Sequence, residues 1–275
     1  MDNDKRTSRT DSGTSAGNGR GTIIELREVH KSFGPLQVLR GVNLELRAGE
    51  TTVIIGESAV GKSVVLKHIV GLLQPDRGEV LYHGQVIGRM KGRQLTDLRV
   101  NFGFLFQLSA LFDSLTVAEN VAFPLVEHRA GPRNEIAQIV AQKLTMVGLD
   151  GIGHKKPAEL SGGQKKRVAL ARAIALDPEV VLYDEPTTGL DPPRADVINE
   201  LILKLKRETG ATGIVVTHDM ASALKVGDRI LMLDQGRFIC DETPQGIVES
   251  TDPRVRRFVE GRASEDDLRS LNQGS

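Results

Sequence analysis

The sequence predicts an α/β fold with a parallel sheet core, an antiparallel β region on its N-terminal side and an inserted helical subdomain. Strand and helix patterns alternate in the second half, where the apolar runs "EVVLYDE" and "TGIVVTH" flank the helical stretch "ADVINELILKLKRETG". Such alternation is typical of a parallel sheet covered by helices. The run "TTVIIG" is almost wholly apolar, as expected of a strand buried on both faces. From about residue 88 to 160 helical periodicities dominate, which indicates the inserted subdomain.

The 275-residue chain divides into three segments by composition. Residues 1–21 are polar and contain no apolar run, so we expect a disordered arm and not a secretory signal or a membrane anchor. Residues 22–248 should form one domain, which begins with the strand-like stretches "TIIELREVHKSF" and "VLRGVNLEL". Residues 249–275 are expected to form a C-terminal helix and a polar tail.

Local patterns predict further elements inside this domain. A helix should run from Gly61 to about Leu73, and "GEVLYHG" is typical of a strand. In the inserted subdomain, "NEIAQIVAQKLTMVGL" has apolar residues at helical spacing. The run "RILMLD" predicts another strand of the parallel sheet.

Charge and cysteine content limit the classes of function. The 36 basic and 36 acidic residues cancel, so no overall positive field attracts nucleic acid, and we expect no nucleic-acid partner. A single cysteine, Cys240, excludes an intrachain disulfide and fits a reducing compartment. No stretch approaches the roughly 18 uninterrupted apolar residues of a membrane helix, so any membrane role should come through a partner.

The segment "GESAVGKS" has the pattern of a phosphate-binding loop, and it follows a predicted strand and begins a predicted helix. In such a loop, backbone N–H groups and the helix N-terminus present positive partial charge to the β- and γ-phosphates of a nucleotide. Lys62 adds a full charge, and the Ser63 hydroxyl can ligate Mg²⁺. The predicted ATP-binding residues of this loop are Gly56, Glu57, Ser58, Ala59, Val60, Gly61, Lys62, Ser63 and Val64.

The predicted strand in "VVLYDE" ends in two acids, Asp184 and Glu185. Adjacent carboxylates at the end of a buried strand are costly unless they bind a cation or water. Asp184 is therefore predicted to hold Mg²⁺, and Glu185 to act as the general base that positions the attacking water. His218 ends the next predicted strand, in "IVVTHD", where we expect it to contact the γ-phosphate.

The stretch "LSGGQKKRVALARA" predicts a second helix N-terminus suited to phosphate. Ser161 has the side chain of a helix N-cap, and Gly162 and Gly163 let a phosphate approach the backbone closely. Because the chain already has one phosphate-binding helix N-terminus, the second is free to serve the nucleotide bound to another copy. We therefore expect a head-to-tail homodimer that holds two ATP molecules between its subunits, with Ser161, Gly162, Gly163 and Gln164 facing the partner's nucleotide.

In their order and spacing, "GESAVGKS", "LSGGQKKRVALARA", "VVLYDEPTTGLD" and "VVTHD" resemble the motifs of the nucleotide-binding subunit of an ABC transporter. The resemblance covers about residues 22–262 and implies an ABC-type P-loop NTPase fold with a RecA-like core.

Three residue roles are implied only by this resemblance. Phe33 matches the aromatic residue that stacks on adenine, and Asp191 matches the aspartate that communicates across the dimer. Gln107 matches the glutamine that bridges Mg²⁺ or the attacking water to the transmembrane partner. Two positions depart from the family's motif: Val64 replaces a threonine, and Ala59 replaces a common glycine, which should stiffen the loop modestly. Neither change removes a catalytic group, so the loop is predicted to work.

Other ABC proteins act on chromosomes or ribosomes. The chromosome and DNA-repair class needs a long coiled coil between the phosphate loop and the "LSGGQ" motif, and no heptads occur between Lys62 and Ser161. The ribosome-associated class normally carries two ATPase heads, whereas this sequence has one and no basic excess for RNA. A transporter subunit is the favoured interpretation.

Within the transporters, "FQLSALFDSLTVAENVAFPLVEH" and the later "DPRVRRFVEG" resemble ATPases of Mla/Mce-type phospholipid transport systems, also known as toluene-tolerance transporters. This resemblance implies a transmembrane permease, an Mce-type substrate-binding protein and a peripheral position on the cytoplasmic face of the inner membrane. It also implies movement of phospholipid between inner and outer membranes.

An amino-acid importer is the alternative within the transporter class. Many importer ATPases have a regulatory domain after the ATPase head, whereas only a short polar tail follows here. In the tail, "VRRFVE" can form a helix with one apolar face made by Val255, Phe258 and Val259. Because so short a helix is unstable alone in water, we expect it to contact a partner or the second copy.

Overall fold

The structure is a computed structural model that describes residues 21–263. The arm predicted for residues 1–21 therefore lies, apart from Gly21, outside the described residues, as does the polar tail from residue 264. The domain boundaries drawn from the sequence stay predictions. No helix in the described range is long and apolar enough to cross a membrane.

The strands of residues 21–263 form two sheets. The larger sheet contains β3 (Thr51–Ile55), β6 (Phe102–Leu105), β7 (Val180–Asp184), β8 (Thr212–Val216), β9 (Arg229–Asp234) and β10 (Arg237–Glu242). Its spatial order is β10, β9, β3, β8, β7 and β6, and every neighbouring pair is parallel except β9 with β10. The predicted parallel core is thus confirmed.

The smaller sheet is the predicted antiparallel region. It contains β1 (Thr22–Phe33), β2 (Leu36–Arg47), β4 (Arg77–Tyr82) and β5 (Gln85–Val86), in the order β2, β1, β4, β5. In the hairpin of β1 and β2, Phe33 pairs with Leu36, so the aromatic side chain lies at the turn. That position leaves Phe33 48% exposed.

Two apolar layers sandwich the parallel sheet. All five residues of β3 are buried, and because side chains alternate across a strand they enter different layers. Val53 and Ile55 belong to the cluster formed with the helical subdomain and the later helices. Ile54 belongs to the cluster formed with the antiparallel sheet. The continuous apolar run in this strand follows from burial on both faces.

The helices cover the sheet and form the inserted subdomain between β6 and β7. In chain order they are α1 (Lys62–Ile69), α2 (Arg93–Val100), α3 (Val117–Glu127), α4 (Arg133–Met146), α5 (Gly162–Ala173), α6 (Pro192–Thr209), α7 (Met220–Val226), α8 (Pro244–Val248) and α9 (Pro253–Val259). Helix α1 is shorter than predicted, because Gly71 follows it with a left-handed φ of 66°. Such a residue ends a helix at little steric cost only when it is glycine.

The inserted region contains a strand that the sequence analysis misses. Residues Phe102–Leu105 form β6 and pair in parallel with β7, although helical periodicity is predicted from about residue 88 to 160. Four residues are too few to establish a period, and the helices on both sides dominate the pattern. The strand ends just before Gln107 and brings that residue to the edge where the other parallel strands end.

The C-terminal helix α9 packs against its own chain. Val255 is fully buried, and Phe258 and Val259 pack on the larger core cluster. Part of the apolar face that we expected to contact a partner therefore packs within the chain, where Phe258 and Val259 are partly buried. Contact of their exposed parts with a partner stays a prediction. On its polar side, Arg257 Nη2 lies 3.8 Å from Glu57 Oε1 in the phosphate loop.

Candidate functional site

The phosphate loop joins β3 to α1 and is organised around the Lys62 ammonium. Lys62 Nζ donates to the carbonyl oxygens of Gly56 and Glu57, each at 2.8 Å. Its side chain is only 6% exposed. Burial lowers the pKa of Lys62, and the carboxylates of Glu185 and Asp184 oppose that shift. The lysine is therefore held in the centre of the loop with its charge directed at the site.

The N-terminus of α1 has backbone donors that the described residues leave free. Gly61 precedes the helix with a left-handed φ of 109° and provides no side-chain cap. No hydrogen bond within residues 21–263 uses the amide N–H of Lys62, Ser63 or Val64. Unpaired amides at a helix N-terminus are suited to bind phosphate oxygens.

The loop backbone contains one strained position. Ala59 has a left-handed φ of 65°, a conformation that glycine adopts without steric cost. For an L-residue that conformation costs about 1–2 kcal/mol. The replacement of glycine by Ala59 therefore adds backbone strain to the loop, and the modest stiffening stays a prediction.

Gly56 offers a direct test of how closely the loop packs on the sheet. Its φ is 152°, and a Cβ there would lie 2.4 Å from the carbonyl oxygen of Leu233 in β9. We expect Gly56→Ala to lower the free energy of unfolding by about 3 kcal/mol, because backbone must move to relieve the clash. Chemical denaturation measures the change. Gly84→Ala is the control: Gly84 has a φ of 74° and open space around its Cβ position, so only about 1 kcal/mol of backbone strain is expected. Equal losses in the two variants would contradict the steric argument.

A pair of oxygen ligands adjoins the loop. Ser63 Oγ donates to Asp184 Oδ1 at 2.9 Å, although the two residues come from different elements. Burial raises the pKa of Asp184, and the hydrogen bond from Ser63 partly offsets that rise. A hydroxyl and a carboxylate are hard oxygen ligands of the kind Mg²⁺ prefers. No cluster of three or more His, Cys, Asp or Glu side chains suited to a metal occurs within residues 21–263. The hydroxyl of Ser63 and the carboxylate of Asp184 fit an ion that takes its remaining ligands from phosphate and water.

Glu185 lies beside this pair and is almost buried. Its exposed fraction is 8%, and its backbone has a left-handed φ of 48°. Glu185 Oε2 lies 2.8 Å from His218 Nδ1, and Glu185 Oε1 lies 3.7 Å from Lys62 Nζ. Thr188 Oγ1 donates to the same carboxylate at 3.1 Å. The side chain is thus oriented by three neighbours at the end of β7, as a positioned base needs to be.

Most residues predicted to bind ATP and catalyse its hydrolysis within one chain surround a single cavity of about 340 Å³. The residues that line it are Phe33, Val38, Ser58, Ala59, Gly61, Lys62, Ser63, Val64, Gln107, Glu185 and His218. Glu57 and Val60 face a neighbouring cavity instead, together with Arg254 and Arg257. The structure thus brings together the aromatic, the loop and the catalytic candidates, while their roles stay predictions.

The residues predicted to face a second copy lie outside this cavity. Ser161 caps α5 in a capping box, in which its Oγ accepts from the Gln164 N–H at 3.3 Å. Asp191 caps α6 and accepts from the Arg194 N–H at 2.9 Å. A Cβ added at Gly162 or Gly163 would be in ordinary van der Waals contact, 3.7 or 3.8 Å from its nearest neighbour. The packing of this chain therefore does not require either glycine.

Two residues of the site escaped the sequence analysis. Val38 lines the cavity from β2, and an apolar residue in a strand gives no chemical signal in sequence. Lys166 lies behind the cavity, where Nζ donates to the carbonyl oxygens of Gln107 and Glu185. The two acceptors of Lys166 are backbone atoms far from it in sequence, so no sequence motif predicts these contacts.

This geometry, at the carboxyl edge of a parallel sheet, is that of a P-loop nucleoside triphosphatase. The ABC transporter family model matches residues 39–188 of the chain. The probable ribonucleotide transport ATP-binding protein mkl of Mycobacterium leprae is 42% identical over 90% of this chain and 72% of its own length. The intermembrane phospholipid transport system ATP-binding protein MlaF of Haemophilus influenzae is 41% identical over 88% of this chain and 91% of its own.

A solved structure agrees with these sequence relatives. The post-hydrolysis dimer of the ATP-binding cassette MJ0796, bound to ADP and Pi, has a TM-score of 0.74 and is 36% identical over 81% of this chain and 99% of its own. The chain belongs to the ABC transporter ATP-binding family. It is an ATPase whose hydrolysis of ATP is coupled to transport, and the resemblance inferred from the motifs is confirmed.

Proposed function

We propose that this chain is the ATPase of an Mla/Mce-type transporter that moves phospholipid between the inner and outer membranes. One observation carries the proposal: the similarity to MlaF extends over 88% of this chain and 91% of that protein. It also favours the lipid transporter over the amino-acid importer. The mkl relative, whose name refers to ribonucleotide transport, matches over a smaller share of its own length.

The residues of the cavity support a direct mechanism of hydrolysis. Phe33 stacks on adenine, while Lys62 and the loop amides bind the β- and γ-phosphates. Ser63, Asp184 and Gln107 would hold Mg²⁺, which would supply positive charge to the phosphates.

The proton of the attacking water passes to Glu185. The contact of Glu185 Oε2 with His218 Nδ1 at 2.8 Å orients the carboxylate and leaves His218 Nε2 to contact the γ-phosphate. Because Glu185 is almost buried, few solvent molecules compete for its carboxylate. The base is thus directed at the γ-phosphate side of the cavity.

Two copies of the chain form a head-to-tail dimer with ATP at both interfaces. Ser161 and the adjoining glycines at the N-terminus of α5 bind the partner's nucleotide, and Asp191 communicates across the interface. The glycines at positions 162 and 163 support this arrangement, because a Cβ at either position would make only ordinary contacts and the chain's own packing does not need glycine there. MJ0796, which is 36% identical, is dimeric in its solved structures.

We expect Ser161→Ala to lower kcat and ATP-driven dimerisation by about tenfold, while the ATP affinity of the isolated subunit changes less than twofold. The serine contacts the partner's nucleotide in this proposal, so binding to a monomer does not involve it. Steady-state hydrolysis and light scattering with ATP measure the two effects. Thr116→Ala is the matched control, since Thr116 caps α3 in an equivalent capping box. If the isolated Ser161→Ala subunit lost ATP affinity as strongly as it lost kcat, the result would argue against the head-to-tail dimer.

An aromatic groove in the helical subdomain is where we place the transmembrane permease. Phe106, Phe112 and Phe123 line the groove and are 40%, 42% and 41% exposed. The rings of Phe112 and Phe123 pack together with centroids 4.6 Å apart. A permease helix seated on these rings would bury them next to Gln107, which follows Phe106 directly. The chain would then lie on the cytoplasmic face of the inner membrane, in one complex with an Mce-type substrate-binding protein.

The proposed function is tested by isolating the complex. A tagged Glu185→Gln chain is purified from native membranes with ATP, and co-purified proteins and lipids are identified by mass spectrometry. Lys62→Ala, treated identically, controls for lipid that is retained without ATP. We expect a multi-spanning permease, an Mce-type protein and enriched phospholipid. A permease with a periplasmic solute-binding protein, or bound ribonucleotide without enriched lipid, would overturn the lipid assignment.

A further inference from the structure

Lys166 is a buried cation that touches two loops of the catalytic site without lining the cavity. It lies in the second turn of α5 and is 5% exposed. Its Nζ donates to the Gln107 carbonyl oxygen at 2.5 Å and to the Glu185 carbonyl oxygen at 3.2 Å. It is not among the residues that surround the nucleotide cavity. Any influence of Lys166 on catalysis is therefore exerted through Gln107 and Glu185.

The chain provides a contrasting buried lysine. Lys143 in α4 is 3% exposed and forms an ion pair with Asp177. Lys166 has no ion pair with a carboxylate among the described residues, and its two hydrogen bonds go to backbone carbonyls. Burial lowers the pKa of Lys166, while the charges of Asp184 and Glu185 oppose that shift. Lys166 thus resembles Lys143 in burial and differs in what its ammonium holds.

The segments that Lys166 holds are conformationally strained. Ser109 and Ala110, just after Gln107, are consecutive residues with left-handed φ values of 63° and 46°. Glu185 itself has a φ of 48°. Non-glycine residues keep such conformations only where the surrounding structure holds them there. One strained residue, Glu185, is thus bonded directly by the Lys166 ammonium. The other two follow shortly after Gln107, the second residue that Lys166 bonds.

A second cation of α5 binds the other end of the same loop. Arg172 donates from Nη2 to the Ser109 carbonyl oxygen at 2.9 Å and from Nη1 to the Ala110 carbonyl oxygen at 2.7 Å. Its guanidinium also lies 5.8 Å from the centre of the Phe112 ring in the aromatic groove. The single helix α5 thus bonds three carbonyl oxygens of one loop, those of Gln107, Ser109 and Ala110. This loop connects the nucleotide cavity to the aromatic groove.

We propose that Lys166 is a positioning residue that holds Gln107 and Glu185 in their catalytic arrangement, with Arg172 as the second cation on the same loop. The helix that carries both cations begins at Gly162 and is capped by Ser161, so a movement of its N-terminus would be transmitted to the two catalytic loops. The inference rests on the roles proposed above for Gln107 and Glu185.

The test compares Lys166→Met with Lys143→Met in the full-length chain. Each replacement removes a buried ammonium and keeps a side chain of similar length. Because Lys143 pairs with the exposed Asp177 and Lys166 with two backbone carbonyls, the free energy of unfolding of each variant is measured beside its kcat. We expect Lys166→Met to lower kcat by at least about tenfold, with the KM for ATP and the equilibrium ATP affinity within about twofold. The Mg²⁺ concentration for half-maximal activity should rise, because Gln107 is displaced. Lys143→Met should leave kcat unchanged at temperatures where it is folded.

Two outcomes would overturn the inference. One is wild-type kcat in folded Lys166→Met, and the other is an equal loss of kcat in Lys143→Met, which would indicate a purely structural effect. If Lys166→Met does not fold, Arg172→Met decides the question, since it releases Ser109 and Ala110 and should lower kcat with the same unchanged ATP affinity. Glu185→Gln is measured in parallel. An active Glu185→Gln would refute the general base, whereas an inactive Glu185→Gln beside an active Lys166→Met would refute only the positioning role.

Discussion

Replacing Glu185 with glutamine should lower kcat for ATP hydrolysis by about 10³-fold while ATP still binds. The amide keeps the size of the side chain and can still contact His218, but it cannot accept a proton from water at neutral pH. The phosphate contacts come from Lys62 and the loop amides, which this change leaves in place. Removing a negative charge beside the phosphates also favours the ATP-bound form.

The variant should therefore accumulate as an ATP-bound dimer. Steady-state hydrolysis gives kcat, equilibrium binding of a fluorescent nucleotide gives affinity, and size-exclusion chromatography with ATP detects the dimer. Glu179→Gln is a matched control. Glu179 directly precedes the first residue of β7, at the end of the strand away from the site, and its carboxylate is bonded to Tyr82 and His83. Its kcat should stay within about twofold of the wild-type value. Ordinary turnover by Glu185→Gln would refute the general-base assignment.

Replacing Lys62 with alanine should weaken ATP binding by about 100-fold. A charge-assisted hydrogen bond is worth about 1.5–3 kcal/mol, and the Lys62 ammonium is held almost fully buried at the phosphate site. The change also leaves the carboxylate of Glu185 without its cationic neighbour at 3.7 Å, which adds repulsion toward the phosphates. The lost hydrogen bonds and the added repulsion both weaken ATP binding.

Titration calorimetry with ATP measures this loss directly. Lys67→Ala is the control: Lys67 is exposed on α1, just over one turn further along the helix. It removes the same charge from the protein without removing a contact in the loop, so the affinity should fall by less than about threefold. Comparable losses in the two variants would show that general electrostatics, and not the loop lysine, bind the phosphates.

Local patterns are sufficient to predict the phosphate loop, the two acids at the end of β7 and the helix capped by Ser161. Each depends on a few consecutive residues, and the glycines and the capping serine among them favour the backbone conformations that these segments need. Gly56 and Gly61, for instance, adopt the φ values of 152° and 109° that the loop needs. The roles of Phe33, Gln107 and Asp191 came from resemblance alone, since an isolated aromatic, amide or acid carries no comparable local signal.

Contacts distant in sequence had to be read from the structure. The four residues of β6 give no period, so the sequence does not reveal this strand. The apolar face of α9, which we expect to contact a partner, packs in part on the chain's own core. Sequence showed that Val255, Phe258 and Val259 share a face, but not what that face meets. The strained backbone at Ala59 and Glu185 likewise depends on the tertiary contacts that hold it.

The sequence by itself determined the α/β class, the chemistry of the loop and the order of the motifs, because these are properties of short segments. Only the tertiary structure decided which side chains meet. In the structure Ser63 is hydrogen-bonded to Asp184, and Glu185 lies between Lys62 and His218. The Lys166 ammonium is bonded to carbonyl oxygens of two loops. The reason is physical: a buried charge is tolerated only where its neighbours satisfy it, and here those neighbours come from other elements of the chain.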